Sequence, residues 1–172
     1  MLAGTTALGI AALGLAIAIW AGVGRPDIGR SAPNEGPRTP HLAEGAELPQ
    51  RQRPPSSGPH YASRASYGVS ITPVEPGNWI HAAEHGGVVI LFKCGGPDEC
   101  TAIADRLSSE VYEPARNGRF NERKLVITPY QDMNVPVMAV AWRRLLEMSE
   151  IDASQLLAFY DRYLDTGPEN AQ

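Results

Sequence analysis

Two histidines and a glutamate lie within five consecutive residues of this chain, in the segment His81 to His85. On a helix, positions i and i+4 share a face, so both imidazoles can point at one metal ion. Glu84, between them, is close enough to ligate the ion, to orient an imidazole or to act as a base. The other two histidines, His41 and His60, precede this segment. The pattern predicts a metal site formed by His60, His81 and His85, with His41 or Glu84 completing it.

The residue types favour zinc or copper as the metal, because imidazole suits both ions and suits calcium or magnesium poorly. Met133 and Met138 could add soft ligands for copper, although methionine in a strand more often fills the core. The pattern H-x-x-E-H is also a signature of zinc peptidases in which the glutamate activates water. No convincing third ligand follows downstream, so a zinc-dependent hydrolase is an outside alternative and a non-catalytic protein is favoured. A purely structural role for His81 and His85 is a further alternative.

The two cysteines, Cys94 and Cys100, form a second candidate site, because they flank a turn between a predicted strand and a predicted helix. In an oxidising compartment this spacing favours a structural disulfide. A thiol at a helix N-terminus also has a lowered pKa, which supports the alternative of a thiol-redox or copper-delivery protein. The C-x5-C spacing is longer than the usual redox spacing, so the disulfide is the favoured interpretation.

The elements that would position these residues follow from hydrophobic periodicity and capping residues. Asn78 is the expected N-cap of the histidine helix and Gly86 its terminator. The order α-β-α-β-β-α predicts an α+β fold, a small sheet flanked by helices, in a thioredoxin-like or ferredoxin-like arrangement. The predicted elements are a helix at 78–85, a strand at 88–93, a helix from 97 or 98 to about 113, strands at 125–130 and 135–142, and a helix that begins at Asp152 and ends before Gly167.

The N-terminal part of the chain is different in composition. Residues 2–24 contain no charged side chain, and at about 1.5 Å per helical residue they reach roughly 35 Å, enough to cross a bilayer. We therefore predict a transmembrane anchor at 1–24, with a cleaved signal peptide as the alternative. A proline-rich linker at 25–58 and a globular domain at 59–172 follow. We expect a single-pass protein of the cell membrane with its C-terminal domain outside the cytoplasm.

The composition limits the classes of partner that the protein is expected to bind. The 172 residues carry a net charge of −4, which argues against a nucleic-acid binder, and no phosphate-binding glycine motif supports a nucleotide. The expected partner is the membrane, through the N-terminal helix, and other membrane proteins are possible partners. A non-catalytic accessory or assembly subunit of a membrane complex is therefore an alternative to a metal-binding protein.

Two motifs, PPSSGPHY at 54–61 and HAAEHGGVVI at 81–90, together resemble the bacterial family of domains of unknown function that carries the number three-one-zero-five. The later segments VITPY, Ala141-Trp142 and Gly167-Pro168-Glu169 extend the resemblance. It implies a single anchor and an exported domain, and some relatives carry a similar cysteine pair. The resemblance indicates where the protein is located and which residues form the site, but it does not indicate a reaction. The residues that fall on the family motif positions are His60, His81, Glu84, His85 and Gly86, with His41 on a looser upstream position.

Overall fold

The computed structural model describes residues 27–169, and its centre is one mixed β-sheet. The strand order across the sheet is β1-β6-β5-β3-β4-β2. Strands β2, β3 and β4 run parallel to their neighbours within that half, whereas β5, β6 and β1 add antiparallel pairs. The strands are β1 (Arg30–Ser31), β2 (Gly68–Val69), β3 (Val88–Phe92), β4 (Leu125–Pro129), β5 (Val137–Ala141) and β6 (Arg144–Met148).

The central strands β3, β4 and β5 are buried at every position. Their continuous apolar runs are typical of strands that are covered on both faces. Val89 pairs with Val126 of β4 on one side and with Val140 of β5 on the other. The middle of the sheet is therefore rigid, and it positions the helix that precedes β3 in the chain.

Helices cover both faces of the sheet. Alternate residues of β3 point to opposite faces. Ile90 belongs to a cluster with the helices at Pro97–Leu107 and Ala153–Tyr163, whereas Leu91 packs with Trp79 of the helix at Pro76–Glu84. The helices are α1 (Pro76–Glu84), α2 (Pro97–Leu107), which continues as a π-helical turn at Ser108–Tyr112, and α3 (Ala153–Tyr163); a short 3-10 turn lies at Arg119–Asn121.

The fold class stated from the sequence is wrong in its details. The α+β class and the helices and central strands are present, but the predicted order omits β6 and the two short edge strands. Among residues 27–169, no helix has the length and apolar character that a bilayer crossing needs. The predicted anchor at 1–24 lies outside the described residues. Strand β6 was missed because only Leu145 and Met148 of its five residues are buried, so it lacks a continuous apolar run.

The proline-rich segment contacts the domain at several points in its described part. Strand β1 pairs with β6 through Arg30 and Leu145, and Leu42 forms a bridge with Tyr61. The Gln50 side-chain amide donates hydrogen bonds to two backbone carbonyls near the start of the predicted domain. These contacts place the segment around His41 next to helix α1.

Candidate metal centre

Helix α1 carries the histidine motif in its last turns. The helix begins two residues before the predicted cap, because Pro76 occupies its first turn, where a missing N–H costs nothing. The Asn78 amide instead donates to the Glu44 carboxylate and the Ser63 carbonyl. The predicted terminator is confirmed, since Gly86 has φ +80°. The helix thus ends at Glu84, with His85 as its C-cap, and its last turn faces the interior.

Helix α1 is also held close to the segment that carries His60. A side chain at Gly77 would overlap the Tyr61 ring, so only glycine permits this approach. The Tyr61 hydroxyl donates to the Ala46 carbonyl at 2.8 Å. Tyr61 therefore fixes the distance between the loop and the helix, and with it the distance between His60 and His81.

Three imidazoles and one carboxylate converge at this point. The ligand atoms of His41, His60, His81 and Glu84 all lie within 4.8 Å of one another. Ligand atoms around a tetrahedral zinc ion are about 3.4 Å apart, so a small inward movement of the side chains closes such a site. His60 and Glu84 are almost wholly buried and His41 is exposed. The cluster therefore runs from the interior to the surface and could hold a metal ion.

Backbone carbonyls orient two of these imidazoles. Nδ1 of His60 lies 2.9 Å from the Gly58 carbonyl, and Nδ1 of His81 lies 2.9 Å from the Tyr61 carbonyl. A carbonyl only accepts hydrogen bonds, so each Nδ1 carries the proton. In the neutral imidazole the lone pair is then on Nε2. A hydrogen bond from Nδ1 to a carbonyl commonly orients a histidine that binds a metal through its other nitrogen.

The contact between His60 and Glu84 needs a cation or a second proton. Nε2 of His60 is 3.0 Å from Oε2 of Glu84, yet that nitrogen has no hydrogen-bond partner among the described residues. A neutral imidazole with its proton on Nδ1 presents a lone pair to a carboxylate oxygen, and both atoms are acceptors. A metal ion that both atoms ligate, or a proton on Nε2, makes this arrangement favourable.

The other oxygen of Glu84 is engaged by an arginine that the sequence analysis missed. Arg38 Nη1 lies 3.0 Å from Glu84 Oε1 and 2.8 Å from Glu169 Oε1. The hydrogen bond that Arg38 donates to Glu84 raises the pKa of Arg38, against the effect of desolvation. The sequence predicts neither residue at this site. Arg38 lies in the proline-rich segment, Glu169 belongs to the Gly-Pro-Glu segment of the resemblance, and only folding brings the two together.

His85 belongs to a neighbouring group and not to the group around His60. Its Nε2 is 3.2 Å from Nε2 of His81 and 3.6 Å from Oε2 of Glu169. Glu84, His85 and Glu169 form a second set of converging ligand atoms that shares Glu84 with the first. The structure therefore brings all five predicted residues together but divides them between two adjoining sets.

The pKa of His81 is lowered from its ordinary value. Burial is the main cause, and the nearby histidines act in the same direction, whereas the hydrogen bond to the Tyr61 carbonyl opposes it. A metal ligand has to be deprotonated. The lowered pKa keeps His81 neutral at neutral pH and so ready to bind.

The sulfur-bearing residues lie elsewhere. Cys94 and Cys100 form a disulfide with their Cα atoms 5.1 Å apart, just beyond the end of β3, whereas the histidine motif precedes its start. Met133 and Met138 are buried in the apolar cluster with Trp79. Neither the sulfurs nor the thioethers therefore belong to the histidine cluster.

Replacing both Cys94 and Cys100 by serine should lower the free energy of unfolding by about 2 kcal/mol, because the disulfide closes a short loop. Metal binding should be unchanged, because the two sites are at opposite ends of β3. Urea unfolding and a zinc titration of the variant measure the two effects. Loss of zinc affinity in a variant that is still folded would show that the two sites are coupled.

Comparison with known proteins gives one result. A family model described as "Protein of unknown function (DUF3105)" matches residues 41–172, more than half of the chain. No curated protein and no solved structure matches. The matched region begins at His41 and includes every residue of both converging sets.

Proposed function

The chain belongs to the DUF3105 family of proteins of unknown function, and we propose that its function is to bind a metal ion through the histidine cluster. The proposal follows the cluster because no other motif in the sequence indicates a reaction. The bound ion is a transition metal, held by His41, His60, His81 and Glu84. The observation that carries the proposal is the orientation of the two buried imidazoles. Gly58 and Tyr61 carbonyls take their Nδ1 protons, which leaves the lone pair of each ring on Nε2; that of His60 has no hydrogen-bond partner among the described residues, and that of His81 lies 3.2 Å from Nε2 of His85.

The ligand set favours zinc, with Cu(II) as the competitor. Three imidazoles and one carboxylate supply four ligands, the number that zinc takes in tetrahedral sites. Calcium and magnesium prefer oxygen ligands alone. Cu(I) prefers thiolate or thioether ligands, and Met133 and Met138 are buried in a separate apolar cluster.

Glu84 is better suited to bind the ion than to act as a catalytic base. Its side chain is 1% exposed, with one oxygen on Arg38 and the other on His60. A base that activates water needs access to that water and to a substrate. The arrangement supports a carrier, sensor or structural metal site over a hydrolase.

The disulfide supports a location outside the cytoplasm. Disulfides persist in oxidising compartments and are rare in the reducing cytosol. The bond between Cys94 and Cys100 is therefore consistent with an exported domain. Because the sulfurs lie at the far end of β3 from the histidines, we propose a structural role for them and not a part in metal transfer.

Metal analysis of the untagged protein tests the proposal. We expect about one zinc or copper ion per chain. Reloading metal-free protein with zinc at about a thousandfold excess over its Kd should raise Tm by about 10 °C, since binding to the folded state alone adds about 4 kcal/mol. Glu84→Gln should weaken binding, while Glu147→Gln, on an exposed glutamate paired with Arg30, should not. Protein that neither contains nor takes up either metal would refute the proposal.

A further inference from the structure

A cavity of about 360 Å³ lies beside the turn that joins β5 to β6. Three arginines line it, Arg143, Arg144 and Arg162, together with the hydroxyl-bearing Ser31 and Thr166. No carboxylate is among its lining residues in the described part of the chain, although the protein as a whole has a net charge of −4. Clustered guanidinium groups make this surface locally positive in an otherwise acidic protein, and a locally positive surface attracts an anionic ligand.

The cavity has unused hydrogen-bonding capacity. Arg144 and Arg162 share the Asp27 carboxylate, at 3.4 Å and 3.0 Å. Nε of Arg162 is nevertheless buried without a hydrogen-bond partner within residues 27–169. The guanidinium of Arg143 makes no hydrogen bond or ion pair with any described residue, and its side chain is exposed. The Asp27 carboxylate accepts hydrogen bonds from Arg144 and Arg162, and N–H donors of Arg143 and Arg162 remain for another oxyanion.

Arg143 stands in a backbone conformation that disfavours it. It is the second residue of the two-residue turn between Ala141 and Arg144, and its φ is +58°. Tight hairpin turns usually place Gly, Asn or Asp at such positions. A bulky side chain there is strained, and such strain is found mainly where a site needs the side chain.

A second cavity adjoins the first on the side of Arg38. It measures about 220 Å³ and is lined by Arg38, Trp142 and Arg143 among others. Trp142 and Arg143 thus line both cavities, and the Trp142 ring lies edge-on to His60 with centroids 6.3 Å apart. Arg38 in turn contacts Glu84. The basic surface therefore extends from the β5–β6 turn to the edge of the histidine cluster.

We propose that this arginine-lined cavity binds a phosphate group, carried either by a small soluble molecule or by a lipid headgroup. Arg143 and Arg162 supply planar pairs of N–H donors, which match the geometry of a phosphate oxygen pair. The Ser31 hydroxyl lies at the same cavity, accepts from Arg144 at 2.8 Å and keeps its own O–H as a further donor. The site involves none of the proposed metal ligands, so it stands or falls independently of the metal proposal.

Inorganic phosphate is the first probe, added to the metal-free full chain at constant ionic strength and followed by NMR chemical shifts. We expect saturable binding with a Kd of about 1 mM, and Arg143→Gln should weaken it roughly tenfold, as expected for the loss of charged hydrogen bonds. Arg116→Gln is the matched control, because Arg116 pairs with Asp161 and does not line the cavity. A His81→Ala variant should bind phosphate normally, which separates this site from the metal centre.

Arg143→Gly provides a second variant, in which the new residue suits the φ of +58° at this position. Glycine relieves the left-handed strain, so Tm should rise by about 3 °C while phosphate binding weakens roughly tenfold, as in Arg143→Gln. Vesicles of phosphatidylcholine with or without phosphatidic acid form the second arm. Binding that depends on Arg143 in either arm supports the site, and the arm identifies the source of the phosphate. Binding in neither arm, or binding that Arg143→Gln and Arg143→Gly leave unchanged, would overturn the proposal.

Discussion

Replacing His81 by alanine should weaken zinc binding by about a hundredfold or more, because one ligand of a four-ligand zinc site contributes several kcal/mol. His81 lies on α1, and alanine is the residue most compatible with a helix. The substitution therefore removes the imidazole and leaves the helix in place. A competition titration against a zinc chelator of known affinity measures the change.

His41→Ala separates ligand loss from damage to the fold. His41 is exposed, so its removal should leave the Tm of the metal-free protein unchanged within error. Zinc affinity should nevertheless fall, and the Tm gained on adding zinc should shrink accordingly. His60→Ala is a poorer test, because His60 is 0% exposed and its loss leaves a cavity against Glu84.

The double variant His41→Ala, His81→Ala tests whether the residues act on one ion. Ligands of the same ion are coupled, so the effects of the two substitutions should not simply add. Equal zinc affinity of the wild type and His81→Ala, both folded, would show that the cluster is not the binding site. Such a result would favour a structural role for the buried histidines.

The sequence predicted that His81, Glu84 and His85 lie together, because local spacing specifies it. The i,i+4 histidines and the intervening glutamate share a helix turn, and Gly86 ends that turn. The helix α3 cap was predicted for the same reason, and the Asp152 carboxylate accepts from the backbone N–H groups of Ser154 and Gln155. Such features depend on residues a few positions apart and are readable without a structure.

The rest of the site depends on contacts between distant parts of the chain. Arg38 and Glu169 are 131 residues apart, and no periodic pattern joins them. The division of the five predicted ligands into two sets sharing Glu84 follows from the path of the loop at 58–61, which local propensity does not determine. Strand β6 is not predicted for a related reason. Its backbone pairs with β5 and β1, but its side chains lack the continuous apolar run by which a buried strand is recognised in the sequence.

The segment after α3 supports the metal centre from behind. The backbone N–H of Asp165 donates to the Gly86 carbonyl, and that of Glu169 donates to the Glu84 carbonyl. Lys124, which is 1% exposed, pairs with Asp165 and donates to the His85 carbonyl. These contacts hold the end of α1 in a fixed position, and with it the side chains of Glu84 and His85.

Gly167→Ala should be among the most destabilising single substitutions in the described part of the chain. A Cβ at this position would overlap the Glu84 carbonyl oxygen and the Gly86 nitrogen, and would lie 2.8 Å from the Ala83 carbonyl. All three are backbone atoms at the end of α1, so no side-chain rotation relieves the overlap. We expect a loss of about 3 kcal/mol in the free energy of unfolding, measured by urea denaturation of the metal-free protein.

Gly96→Ala is the matched control for that experiment. No atom lies within 4 Å of a Cβ at Gly96, and its φ of −179° is extended backbone that any residue adopts. The control should be neutral or slightly stabilising, because alanine restricts the unfolded chain. In Gly167→Ala that remains folded, zinc affinity should also fall, since relief of the overlap moves the backbone of Glu84. If the two variants unfolded at the same urea concentration and bound zinc equally, the segment at 165–169 would have no part in holding the metal centre.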